Sequence, residues 1–247
     1  MRELKELAKF GKGFIILNIL WYIGAIVMDS RILPMPHEIY IHLPELLKGN
    51  FYVHIVASLY RVSMGLFISF AIGIVIGLLM GYSDKINKIL NPLVYFTYPI
   101  PKMALLPVVM TIYGLGDESK ITMIVLITVF QVIVAVRDAV INVSKENYNP
   151  LISLGATRLQ LFGNVTFPAI LPEILTNIRL CLGTAFSILF FSEAYGTSEG
   201  VGYFIQDAWT RIDYIDMYSG IVILSILGLA IFILIDFIEG YACKWKH

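Results

Sequence analysis

The residue best placed to do chemistry in this sequence is Lys102, in the run Pro99-Ile100-Pro101-Lys102, with Pro107 following closely. It lies 14 residues beyond Lys88, about 20 Å of helical rise at ~1.5 Å per residue, so its ammonium falls deep inside an apolar stretch. A charge at that depth is costly and marks either a path for ions and solutes or a buried pair. It can attract an anion, or a carboxylate or carbonyl can neutralise it. Glu193 is the carboxylate expected opposite it. Counted from Ile174, Glu193 stands about 28 Å up its helix, somewhat nearer the outside. Pro99, Pro101 and Pro107 each remove a backbone donor. Within a membrane such breaks persist only where protein or a water-lined cavity satisfies the freed groups. Pro99, Pro101, Lys102 and Glu193 are therefore the candidate lining of a polar path.

Other chemistry is poorly served. Gly114-Leu115-Gly116-Asp117-Glu118-Ser119-Lys120 superficially resembles a phosphate loop, but it lacks the Gly-Lys-Ser/Thr order and a preceding strand. It is expected to be a turn, and the chain is not expected to hydrolyse ATP by itself. His37, His42, His54 and His247 have no ligand spacing, and Cys181 and Cys243 suggest neither a disulfide framework nor a metal knuckle. No metal or cofactor is expected. An intramembrane enzyme would need a nucleophile, metal ligands or a base in a polar cluster, which Lys102 and Glu193 alone do not make.

The other informative stretch is Asn149-Pro150-Leu151-Ile152-Ser153-Leu154-Gly155-Ala156-Thr157-Arg158, continuing to Phe162, Pro168 and Pro172. Asn149 can cap a helix with Pro150 at its first position, and Gly155 suits the left-handed residue that ends it. Thr157 can cap a second short helix, which Pro168 and Pro172 are expected to stop. Two short helices joined at a glycine, lying along the membrane, would make a rigid knob for another protein.

The elements that must position these residues follow from composition. Of 247 residues, 58% are hydrophobic and only 15% charged, with a mean hydropathy of +0.79. Soluble domains are nearer half apolar and a quarter charged, so the excess belongs in a bilayer. The net charge of zero gives no reason to expect a nucleic-acid partner. Six stretches are apolar enough to span: 10–28, 57–82, 89–115, 120–139, 174–196 and 217–239. The first is expected to be an uncleaved helix, since no small-x-small site follows it. Basic residues divide twelve to five between the two sides, with Arg31, Lys48, Arg61, Lys120 and Arg211 on the poorer one. By the positive-inside rule both termini are then cytoplasmic. Residues 29–56 read as an outer extended lead-in to a short amphipathic piece, and 140–173 as the one substantial inner loop. Gly65, Ser69, Gly73, Gly77 and Gly81 recur every fourth position of the second span, a small-residue face for close helix packing.

On the loop residues Gly155, Val165, Thr166, Phe167 and Pro168, the sequence resembles the binding-protein-dependent ABC importer permeases of type I. Their signature is Glu-Ala-Ala, three residues, Gly, nine residues, Ile-x-Leu-Pro. Asn149-Pro150-Leu151 stands where Glu-Ala-Ala would be. Further motifs resemble the nitrate/sulfonate/taurine branch: His54, Ser58, Arg61 and Gly65; Pro101 to Pro107; Gly114 to Lys120; Arg179, Gly183, Ala185 and Glu193; Gly200-Val201-Gly202-Tyr203; Gly228, Asp236 and Trp245. The resemblance implies an all-α membrane protein of six transmembrane helices, a five-helix core plus an N-terminal helix. Residues 1–53 would form the first helix and lead-in, and 54–247 the permease core with its coupling loop 140–173. It further implies a permease in the cell membrane, serving a small, anionic, sulfonate-, nitrate- or taurine-like solute. The partners would be two ABC ATPase subunits, a second copy of the permease and an extracytoplasmic solute-binding protein. Asn149, Pro150, Leu151, Ser153, Leu154, Gly155, Ala156, Thr157 and Arg158 would meet the ATPase. A stand-alone secondary transporter is the alternative, though it would want more buried titratable groups and an internal repeat.

Overall fold

The computed structural model describes residues 2–97 and 99–244; the expectation for Trp245 lies outside them. Helices α1 (Arg2–Met28), α2 (Pro36–Lys48), α3 (Phe51–Tyr82), α4 (Asp84–Thr97), α5 (Leu106–Tyr113) and α6 (Asp117–Ile141) come first. They are followed by α7 (Asn149–Ser153), α8 (Arg158–Leu161), α9 (Phe167–Glu193), α10 (Val201–Thr210) and α11 (Tyr214–Ala242). No strand occurs among the described residues. Among the described residues, five helical runs are long and apolar enough to cross a membrane, and a broken pair makes up to six.

The centre is a parallel pair, α3 and α6, in fixed register. The small stripe of α3 faces a second stripe at the same spacing of four on α6, Ile124, Thr128, Val132, Val136 and Val140. A Cβ placed on Gly65, Gly73, Gly77 or Gly81 would come within 2.6, 2.6, 2.7 or 2.6 Å of Ile124, Val132, Val136 or Val140. At the middle rung Ser69 and Thr128 hydroxyls hydrogen-bond at 2.6 Å, 59 residues apart. Every rung keeps that offset, so β-branched knobs of α6 enter gaps that only glycine leaves. Close approach of two backbones is what small residues provide where no water drives association. α9 packs against α6 and also touches α3, with Leu182, Ala185 and Leu189 buried in the shared core.

The expected third span, 89–115, is not one helix. α4 ends at Thr97, a 3₁₀ turn occupies Lys102–Leu105, and α5 follows at 81° to α4. Pro99 and Pro101 disfavour helical geometry at the residues before them, whereas Pro107 sits in the first turn of α5, where no intrahelical donor is lost.

The fifth span starts earlier than expected. Pro168 and Pro172 do not stop the second loop helix. α8 passes through a π-turn, Phe162–Thr166, straight into α9, one helical run from Arg158 to Glu193. Pro168 and Pro172 both lie inside that run, Pro168 directly after the π-turn and Pro172 buried in α9; local π adjustment is one way a spanning helix re-satisfies the backbone groups a proline frees.

The amphipathic piece between the first two spans is α2, which folds back on α1. Tyr40 donates to Asn18 (2.7 Å), and Trp21 Nε1 to the Pro34 carbonyl (3.0 Å). Trp21 also meets Tyr218 of α11, ring centroids 5.7 Å apart. Phe14, Ile15, Leu17 and Leu20 remain exposed on α1, an apolar face suited to lipid.

Candidate functional site

Three polar features interrupt the apolar bundle. One lies at the end where α3 and α6 begin, one at the proline break, and one at the end that carries residues 142–166.

At the first end, Glu193 is fully buried and Arg61 only 3% exposed. Arg61 Nη1 donates to Glu193 Oε1 (2.7 Å) and to the Glu199 carbonyl (2.8 Å), while its Nε donates to Asp117 Oδ1 (2.7 Å). Ser58 donates to the same carboxylate at 2.9 Å and accepts from the Val201 N–H at 2.8 Å. The Gly202 N–H donates to Glu193 Oε2 (2.8 Å), and the Gly200 N–H to His54 Nδ1 (3.1 Å). The carboxylate thus sits on the N-terminus of α10, where free N–H groups and the helix dipole favour an anion. Gly200 has φ +121°, and a Cβ there would lie 2.3 Å from Glu193 Cδ; only glycine admits the carboxylate so close. Lys120, fully buried, donates to the Leu115 carbonyl. Gly196, at φ +69°, seats the following loop against Leu115. Arg61, Ser58 and two carboxylates therefore clamp α3, α6, α9 and α10 together. Such an arrangement holds charge and shape.

This corrects two expectations. Arg61 and Lys120, counted among the cations of the poorer side, are interior residues. Glu193 gives its oxygens to Arg61, Ser58 and Gly202 rather than to Lys102. Lys102 Nζ lies over the Phe130 ring, 5.3 Å from its centroid, half-buried against α6. Phe130 stands 13 residues along α6 from Asp117, about 20 Å at ~1.5 Å per residue. Glu193 is level with Asp117 and Lys102 with Phe130, so the two belong to different depths. Pro99 and Pro101 are exposed at the break. Among the described residues no His, Cys, Asp or Glu group could hold a metal ion.

His54, Ser58 and Arg61, with Gly65, share one face of α3 and build this site, which the sequence alone did not reveal. The signal was present: their spacing puts three polar groups on one face of an otherwise apolar helix.

At the opposite end, α7 closes in a Schellman turn. The Ala156 N–H donates to the Leu151 carbonyl (3.0 Å), the Gly155 N–H to that of Ile152 (2.9 Å), and Gly155 has φ +77°. Thr157 and Gln160 form a capping box at α8. Asn149 is the first helical residue rather than the cap, with Tyr148 before it. The apolar side chains of this ordered segment point outward: Leu154 is 86% exposed, Leu159 81% and Ile152 55%. Arg179, also expected near this end, is tied within the bundle to Asp236 (2.6 Å) and Glu239 of α11.

Residues 70–242 match the family model described as the binding-protein-dependent transport system inner membrane component. The formylaminopyrimidine transport permease protein ThiX of Halalkalibacterium halodurans is 30% identical over 234 residues, 94% of each chain. The putative aliphatic sulfonates transport permease protein SsuC of Bacillus subtilis is 30% identical, over 94% of this chain and 85% of its own. The taurine transport system permease protein TauC of Escherichia coli is 29% identical, over 87% and 80%. Among solved structures, an inward-facing MetNI methionine ABC transporter matches 76% of this chain and 94% of its own, at 22% identity and a TM-score of 0.66. A bacterial ABC transporter involved in alginate import matches 98% and 99%, at 17% identity and the same TM-score.

Proposed function

Since the chain belongs to the binding-protein-dependent transport system inner membrane components and is the permease subunit of an ABC importer, we propose that its solute is a small sulfonate-like anion. The relatives named for sulfonates and for taurine support this choice, and so does a lysine at the break of a span. In this reading two copies form the pathway, an extracytoplasmic binding protein delivers the solute, and two ATPase subunits dock on the end that carries 142–166, which faces the cytoplasm. Pro99, Pro101 and Lys102 line the pathway, and the Arg61–Glu193 clamp holds its outer end in shape. Transport is then a two-state rearrangement biased by solute and nucleotide.

The observation that carries the ATPase contact is the exposure of Leu154 and Leu159 on a segment that is otherwise rigidly folded. Ordered apolar side chains in water mark a surface for a partner. Asn149, Pro150, Leu151, Ser153, Ala156, Thr157 and Arg158 surround them, with Gly155 setting the turn.

The test is reconstitution in vesicles with the ATPase and binding protein, measuring ATP-dependent uptake of taurine, an alkanesulfonate and formylaminopyrimidine. Uptake of the sulfonates is expected; uptake of the pyrimidine alone would overturn the solute class. Leu154→Asp should weaken co-purification of the ATPase about tenfold, roughly 1.4 kcal/mol. Undiminished co-purification would remove the segment from the contact.

A further inference from the structure

The π-turn Phe162–Thr166 carries one buried polar group, the hydroxyl of Thr166. Two phenols converge on that oxygen. Tyr82, the last residue of α3, donates to it, and the Tyr148 hydroxyl lies 2.8 Å from it and within reach of the Tyr82 hydroxyl. Tyr148 immediately precedes α7, and its carbonyl accepts the Ile152 N–H at 3.0 Å. One oxygen therefore joins the start of the exposed segment, the root of α9 and the end of α3.

The surroundings leave this junction room to move. Phe162 meets Tyr82 at 6.3 Å and Phe167 at 6.1 Å between ring centroids. An apolar groove of about 360 Å³ opens between Phe162, Tyr82, Ile86 and the last turns of α3. A π-turn carries an extra residue per turn and is frequent at functional sites. Tyr82 is held at the loop end of the α3–α6 ladder, one residue past the Gly81–Val140 rung, so a pull on its hydroxyl acts on a rigid pair.

We propose that the Thr166 hydroxyl, bridging Tyr82 and Tyr148, is the positioning contact that makes displacement of 149–158 move α3 and α9 together. This rests on the reading that 149–158 meets the ATPase. Without the bridge the segment can follow the ATPase while the spans stay behind, so ATP is consumed without solute moving.

Thr166→Val keeps the shape and removes the shared oxygen; Tyr82→Phe and Tyr148→Phe each remove one phenol. The reconstituted complex with its ATPase and binding protein is assayed for ATP hydrolysis and uptake of the transported solute together. Solute moved per ATP should fall by about fivefold or more in Thr166→Val, with hydrolysis maintained. Each Tyr→Phe change should fall part-way, and the double Tyr→Phe variant no further than Thr166→Val. An unchanged ratio, or hydrolysis and uptake falling in proportion, would overturn the proposal. A ratio that fell while Leu154→Asp left the ATPase bound and coupled would place the failure in the docking reading instead.

Discussion

Arg61 shows how far a buried charge depends on what answers it. Its guanidinium meets two carboxylates and a carbonyl, and removing Glu193 takes away its one fully buried counter-charge, leaving the half-exposed Asp117. Breaking one side of a buried pair typically costs about 3–5 kcal/mol, whereas replacing both with apolar residues is often near neutral. Glu193→Ala should therefore lower the melting temperature of the detergent-solubilised protein more than Arg61→Leu with Glu193→Leu combined. A double variant less stable than Glu193→Ala would show that the clamp acts through something other than mutual neutralisation. The sequence displayed the charges but not their pairing. Lys102 and Arg61 are both cations that Glu193 could meet, and chain separation does not choose between them. The register of α6 chooses, by setting Asp117 level with Arg61 and Phe130 level with Lys102.

The helices themselves were largely legible, because hydrocarbon thickness and apolar run length are the same physical quantity. Their ends were legible where a residue has one conformational meaning, as at Gly155, and missed where a proline has two. Pro168 can stop a helix or be carried inside one where a π adjustment re-satisfies the backbone, and the π-turn before it left no mark in composition. The small stripe of α3 was readable as a packing face, though not its partner. That partner gives a sharp expectation. Gly73→Val would drive side-chain atoms into Val132, overpacking that commonly costs about 1–3 kcal/mol. Val132→Ala in the same chain should recover part of the loss, measured as the folded fraction surviving heat in detergent. No recovery would mean that α3 and α6 do not share this register in the membrane.

At the scale of the whole molecule, the charge asymmetry sharpens once buried residues are set aside. Of the five cations on the poorer side, Arg61 and Lys120 are interior, leaving Arg31, Lys48 and Arg211 to face water there. Cysteine labelling from outside intact cells should therefore reach position 45 or 198 and fail at 154; labelling at 154 would invert the topology. The α3–α6 ladder also decides where this chain can change length. One residue inserted between Gly65 and Gly81 would turn all later rungs by about 100°, replacing glycine with a bulky neighbour at each. An insertion between Gly116 and Asp117, or near Lys102, would leave every rung facing its partner. Lineages descending from this chain should thus gain and lose residues in the connections and never within the sixteen that separate its first rung from its last.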